Sequence, residues 1–376
     1  MLGKLNLWIK NKLQPLPLFY EFFFYRRKLT RKDFFIDHLV SNLKLFKYSL
    51  VYFFGRSVRL EASSICQLRC PACSTGKRLN KKGIIGWGTL KFEDFKKFVD
   101  ENPQIRHIEL SNYGEIFLNR NLRDIIQYSY DKKISLTAGN GVNLNNISEE
   151  MIETLVKYKF KHLLVSIDGA SNETYKIYRI GGNFDRVIDN IKRINNYKRK
   201  YNSRYPKLTW QFVIFGHNEH ELPLAKKMTK ELGMEFLPKL NHSPHYSPVR
   251  NEESVRKFTE KEVISRDEFK KKYKKNYLNP CGQLWFSPQI NWDGKLLGCC
   301  VNKTVDFGNV FEKGLKECLK SEKYVYTKKM VLGKVKARED IPCYNCNYYD
   351  NPEKEEGNLQ IITLVEKGMA VEHKKQ

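Results

Sequence analysis

The sequence predicts an α/β fold in which a large parallel sheet, its strands separated by helices, is followed by a smaller cysteine-rich region. Three observations carry this. A chain of 376 residues suits one large domain plus a smaller one. Between Val58 and Leu240, short apolar runs alternate strictly with longer amphipathic ones. The nine cysteines fall into two groups at opposite ends of the chain.

Strands are expected at "VRLEA", "RHIELS", "ISLTAG", "HLLVSID", "LTWQFVIF" and "MEFLPKL". Helical periodicity fills residues 91–101, 121–131, 148–158, 184–203 and 219–232 between and after them. Because each strand is followed by its helix, the strands' C-terminal ends share one rim, where barrels of this kind gather their chemistry. Around this domain, taken as residues 56–240, the chain divides into a basic, aromatic helical extension (1–55), a polar linker with helical stretches (241–279), the cysteine-rich region (280–350) and a tail (351–376).

A hydrophobic fraction of 41% and a mean hydropathy of -0.57 describe a soluble globular chain. It contains no run of about eighteen apolar residues that could span a bilayer. The formal charge of +25 would attract phosphates or anionic surfaces. Much of the excess, however, sits in stretches such as "RDEFKKKYKKNYL", whose lysines suit a solvated helical face, so nucleic acid is not an expected partner. Residues 1–55 read as a helical extension packing on the main domain, or alternatively as basic amphipathic helices lying on an anionic membrane. An odd cysteine count without a secretory signal argues for a reducing, cytoplasmic setting, peripheral to the inner membrane if the extension binds lipid, and for cysteines that ligate metal.

Residues 64–74, "SICQLRCPACS", carry Cys66, Cys70 and Cys73 directly after the first strand. A structural zinc site needs four ligands, and the next histidine downstream, His107, is expected at the far end of the second strand. Three thiolates instead suit a 4Fe–4S cluster whose fourth iron stays open to a non-protein ligand. With this loop the sequence resembles the radical S-adenosylmethionine enzymes, and the resemblance implies a partial (β/α)6 TIM-type barrel. It also implies that the open iron chelates S-adenosylmethionine, which is cleaved reductively to a 5'-deoxyadenosyl radical that takes a substrate hydrogen.

Other segments extend the resemblance over roughly residues 58–240. "ELSNYGEIFLN" is similar to the glycine and glutamate motif ending the second strand, which implies that Gly114 allows close approach and Glu115 accepts from the methionyl ammonium. "TAGNGVNL" resembles the end of the third strand and implies a polar contact from Asn140. "LLVSIDGASNETYKIYRIGG" implies Ser166 and Asp168 near ribose or substrate and Arg179 on the methionyl carboxylate. Two positions depart from the pattern: Ala72 replaces an aromatic residue that packs near adenine, and Ile116 replaces a proline.

In the second group, Cys281 precedes Gly294-x4-Cys299, and Cys343 and Cys346 form a Cys-x2-Cys knuckle. Four thiolates in two pairs suit zinc or an iron–sulfur cluster. The resemblance selects a SPASM/Twitch-like domain with one auxiliary 4Fe–4S cluster. Cys300 is an alternative to Cys299, although the spacing favours Cys299. Cys318, on an expected helix, reads as a buried small hydrophobe.

The function expected is oxidation or modification of a polar small-molecule or carrier-linked substrate, sugar-like or aminocyclitol-like, with a reductant such as flavodoxin or ferredoxin as partner. A peptide maturase installing a radical modification is the alternative. A third reading is a non-catalytic metal-binding protein for RNA or a membrane surface.

Overall fold

A computed structural model describes residues 56–349, apart from residues 244, 260, 261 and 275. The expected N-terminal extension and the tail therefore lie outside the described residues. The chain divides into two compact units, Val51–Tyr324 and a smaller one formed by Met1–Leu50 with Val325–Gln376. Each is described by itself.

The larger unit is built on an eight-stranded sheet. Strands β1 (Ser57–Leu60), β2 (His107–Glu109), β3 (Ser135–Val142), β4 (His162–Ser166), β5 (Lys207–Ile214) and β6 (Glu235–Leu240) lie side by side in chain order. Every neighbouring pair among them is parallel. β7 (Gln289–Ile290) pairs parallel with β1 on its other side, and β8 (Leu296–Gly298) closes an antiparallel hairpin with β7. The sheet thus runs from β6 to β8 as an open, partial barrel, and the cysteine-rich region contributes its last two strands.

Alternation sets the two faces. Val58, Leu60, Ile108, Leu136, Leu163 and Trp210 are all buried on one side. There the amphipathic helices α1 (Phe92–Glu101), α2 (Leu122–Asp131), α3 (Glu149–Lys157) and α6 (Leu222–Glu231) follow their strands as expected. After β4 come two helices, α4 (Asn172–Tyr178) and α5 (Phe184–Lys200). Ser148, Ser171 and Asn183 cap α3, α4 and α5 by accepting from backbone N–H groups in their first turns, which fixes where each helix begins. Pro238 is tolerated within β6 because β6 is an edge strand.

Beyond β6 lie α7 (Glu252–Phe258), α8 (Arg266–Tyr273), α9 (Gln283–Phe286), α10 (Val310–Lys313), α11 (Leu315–Lys320) and α12 (Glu322–Val331). Among the described residues no helix is long and apolar enough to cross a membrane.

Candidate active site

The chain leaves β1 through Glu61–Ser63 and enters the cysteine loop at the sheet's C-terminal rim. Cys70 is buried, Cys66 and Cys73 are half-buried, and all three pack against Leu68, Tyr178, Val213 and Phe215. The Cys73 N–H donates to the Cys70 carbonyl at 3.1 Å, so the Cys-x2-Cys segment is a single turn. Arg78 caps the loop from below by donating to the Cys66 carbonyl. Ala72 and Tyr246 pack on the same apolar cluster, with the Tyr246 ring 5.6 Å from Tyr178 and 5.5 Å from Phe215. Neighbouring segments thus supply the aromatic surface that the loop lacks at Ala72.

Close backbone contact locks the loop in place. A Cβ at Gly114 would lie 2.2 Å from the Ser63 carbonyl oxygen and 2.6 Å from that of Ile65. Gly114 therefore lets the end of β2 dock on the cysteine loop, and the Glu115 N–H completes the junction by donating to the Ile65 carbonyl at 2.7 Å. Gly76 does the same behind Cys70, where a Cβ would sit 2.6 Å from the Cys70 carbonyl oxygen.

Glu115 is fully buried and accepts from the Asn143 N–H at 2.6 Å and the Phe117 N–H at 3.3 Å. Burial raises its pKa to about 7 against the pull of those bonds. The Asn143 side chain donates to Cys66 Sγ at 3.9 Å and accepts from Gln67 at 2.9 Å. Asn140 is instead exposed and donates to Asn112 Oδ1 at 2.7 Å. The cause is a bulge: three residues separate Ala138 from Val142 on β3, while one separates their partners Leu163 and Val165 on β4.

Asp168 is fully buried and takes Nε and Nη2 of Arg179 at 2.7 and 2.6 Å, while its second oxygen accepts from the Val213 N–H at 2.7 Å. Arg179 Nη1 then reaches Cys70 Sγ at 3.8 Å. Burial raises the Cys70 pKa and the Arg179 guanidinium opposes it; burial pushes Cys66 up to about 12. Ser166, also buried, accepts from Gln211 Nε2 at 3.3 Å. Gly114, Glu115, Asp168 and Arg179 are thus gathered around the cysteine loop, Ser166 stands one strand away beside Gln211, and Asn140 faces Asn112.

Among the described residues no three His, Cys, Asp or Glu side chains converge as ligands of one ion would. The cysteine loop offers three thiols and no histidine, a donor set that fits three irons of a 4Fe–4S cluster and leaves the fourth open.

In the larger unit Cys281 is buried in the turn Pro280–Gly282, and Cys299 is buried directly after β8. The Cys300 N–H donates to Gln283 Oε1 at 2.7 Å, and Gln283 Nε2 donates back to the Cys300 thiol at 3.3 Å. Cys318 is buried, 3.1 Å from where a Gly308 Cβ would stand. In the smaller unit the Cys346 N–H donates to the Cys343 carbonyl at 3.1 Å, closing a second Cys-x2-Cys turn.

Two family models match this chain. That of the radical SAM superfamily covers residues 60–225, and that of SPASM, an iron–sulfur cluster-binding domain, covers residues 281–347. The chain thus carries a radical SAM domain followed by a C-terminal SPASM domain. It is an enzyme whose cofactors are S-adenosylmethionine, the 4Fe–4S cluster that binds it and the iron–sulfur content of the SPASM domain. It is 28% identical to a probable GTP 3',8-cyclase of Methanocaldococcus jannaschii over 52% of this chain and 65% of that protein. It is 26% identical to the PqqA peptide cyclase of Granulibacter bethesdensis over 46% of this chain and 43% of that one. Streptococcus suis SuiB, solved bound to S-adenosylmethionine, shares the fold, with a TM-score of 0.56 at 13% identity over 91% of this chain and 82% of SuiB.

Proposed function

We propose that this chain is a radical SAM enzyme that oxidises or otherwise modifies a polar small-molecule or carrier-linked substrate within the open barrel. The observation that carries this reading is the character of the sheet's inner face. Strand register sets Gln289, Arg59, Glu109 and Thr137 side by side on that face, and Gln211 and Lys239 continue it on β5 and β6. Arg59 donates to Gln289 at 3.0 Å. Burial pushes the Glu109 carboxyl up, but Arg59 and donors from Ser111, Thr137 and Gly139 outweigh it and hold the group below the usual range. Such a lining solvates a polar substrate and penalises an apolar one.

In this reading Cys66, Cys70 and Cys73 hold the cluster, and Gly114, Glu115, Ser166, Asp168 and Arg179 face S-adenosylmethionine or the substrate, while Asn140, exposed beside Asn112, gives up its expected polar contact to Asn143. When bound, the cofactor pair supplies one-electron hydrogen-abstracting chemistry. The chain's own residues prepare for it. Asp168 orients Arg179, whose charge offsets thiolates at Cys70. Glu115, near neutrality when buried alone, ionises as a cation arrives beside it. The auxiliary role of Cys281, Cys299, Cys343 and Cys346 rests on their order and spacing along the chain, with Cys300 as the alternative to Cys299. The Cys300 thiol's bond to Gln283 favours Cys299.

A peptide maturase is the second reading, favoured by the match to a peptide cyclase. Anaerobic reconstitution with iron, sulfide and a reductant tests the enzymatic core: methionine and 5'-deoxyadenosine should form from S-adenosylmethionine, and their absence would sink the proposal. A short peptide encoded beside the gene that accelerates this cleavage would favour the maturase.

A further inference from the structure

The inner face of the sheet and its C-terminal rim carry cations whose partners differ. Arg59 stands beside the Glu109 carboxylate, and Arg179 is held by both Nε and Nη2 on Asp168. Lys239 has no carboxylate within ion-pair distance among the described residues; its ammonium donates to the neutral Gln211 Oε1 at 2.5 Å.

Register fixes where this lysine points. Lys239 pairs with Val213 on β5, so the two share a face, and Val213 packs in the apolar cluster that includes Cys70. Gln211, two residues earlier on β5, pairs with Ser166 on β4 and donates to its hydroxyl. A line of polar contacts therefore runs Lys239–Gln211–Ser166 across three strands. Just after Lys239, His242 Nε2 donates to the Ala72 carbonyl at 3.2 Å, which ties the end of β6 to the cysteine loop. Arg266 donates to the Leu240 carbonyl at 3.3 Å and adds positive charge at the same rim.

The nearby Asp168 is already committed to Arg179 and to the Val213 N–H. Burial and the neighbouring Arg266 both depress the Lys239 pKa. A half-buried ammonium with only an amide oxygen to serve costs free energy that an incoming anion would recover. Gln211 can turn its amide to donate to the same anion.

We propose that Lys239 is a specificity-determining residue that binds an anionic group of the substrate, a phosphate or a carboxylate, with Gln211 relaying its position to Ser166. This rests on the reading of the barrel as a polar-substrate site and narrows the substrate to an anion.

The test uses the cluster-reconstituted full chain, with methyl phosphate and acetate as separate probes and anaerobic calorimetry as readout. At least one anion should saturate, and its affinity should fall about tenfold or more in Lys239→Met and Lys239→Gln while staying within about threefold in Lys239→Arg. Saturation by methyl phosphate alone points to a phosphorylated substrate, and by acetate alone to a carboxylate. Lys239→Met should fold at least as stably as the parent, since it removes a desolvated charge, and Lys239→Gln keeps the test intact if it does not. Equal affinity in parent and variants, or no saturable binding of either anion, would overturn the inference. Failure of the parent chain to cleave S-adenosylmethionine would instead strike the underlying reading, so the two failures are distinguishable.

Discussion

The two cysteine groups are built in contrasting ways. Cys66, Cys70 and Cys73 lie on one continuous loop, share one apolar cluster and have Arg179 within reach as counter-charge. Cys281 and Cys299 lie in the larger unit, whereas Cys343 and Cys346 belong to the smaller one. A centre carried by a single loop can be set by local backbone contact; a group spread over more than sixty residues depends on the tertiary fold. The largest predicted effect tests whether function divides as construction does. Cys70→Ala should abolish cleavage of S-adenosylmethionine and lower bound iron, while Cys343→Ala should keep part of the uncoupled cleavage and lose product. Equal loss of cleavage in both variants would erase the distinction.

Glycines beside each group sharpen the contrast next. A Cβ at Gly114 collides with two backbone carbonyls of the cysteine loop, so Gly114→Ala should cost about 3 kcal/mol or more, because backbone cannot move aside as a side chain can. At Gly282, adjacent to Cys281, the nearest atom to a new Cβ is Phe286 Cδ2 at 3.8 Å. Gly282→Ala should therefore stay within about 0.5 kcal/mol of the parent. Chemical denaturation of both variants checks this, and equal destabilisation would show that the first loop is no more tightly constrained than the second group.

Glu61 supports the first centre from beneath. Its Oε1 accepts from the Tyr113 and Gly114 N–H groups at 3.0 and 3.2 Å, while Oε2 has no hydrogen-bond partner among the described residues. Burial raises its pKa from 4.5 to about 8, with the two N–H donors pulling the other way. The folded chain therefore keeps a proton that the unfolded chain releases. Stability from this group is fully present below about pH 4.5 and is lost as pH rises through about 8. Glu61→Gln, which preserves the acceptor oxygen, should remove a loss of the order of a few kcal/mol between pH 5.5 and 8.5. Unfolding curves that fall equally with pH in parent and variant would count against a protonated Glu61.

Much of this architecture is legible in the sequence because a two-residue period marks strands and a 3.6-residue period marks helices. The six parallel strands and the helices after β2, β3 and β5 appear where those periods change. α4 leaves little trace in the sequence: "NETYKIY" is only seven residues, too short for a full amphipathic pattern. β7 is two residues long, and no periodicity can reveal that it extends the barrel sheet. Lys239 is an ordinary lysine in "MEFLPKL"; its proposed role rests on its β5 partners and on having no carboxylate within ion-pair distance among the described residues, which are tertiary facts. Gly76 carries no motif, and only the backbone of Cys70 behind it explains its identity.

Asn140 and Asn143 give the smallest predicted effect and the most local version of the contrast between pattern and fold. Both lie in "TAGNGVNL", and alternation along a regular strand gives no reason to prefer the second. The bulge on β3 changes that, leaving Asn140 exposed beside Asn112 and bringing Asn143 to Glu115, Gln67 and Cys66. Asn143→Ala would strand the Gln67 amide and remove a donor to the Cys66 sulfur, for a cost of about 1–3 kcal/mol; Asn140→Ala should cost about 0.5 kcal/mol or less. Donors to cluster sulfurs raise reduction potential by stabilising the added electron, so Asn143→Ala should also shift the reconstituted cluster to a more negative potential. Redox titration followed by electron paramagnetic resonance reads that shift directly. A shift in Asn140→Ala but not in Asn143→Ala would mean that the loaded loop rearranges at β3, and that the motif rather than the bulge identifies the working residue.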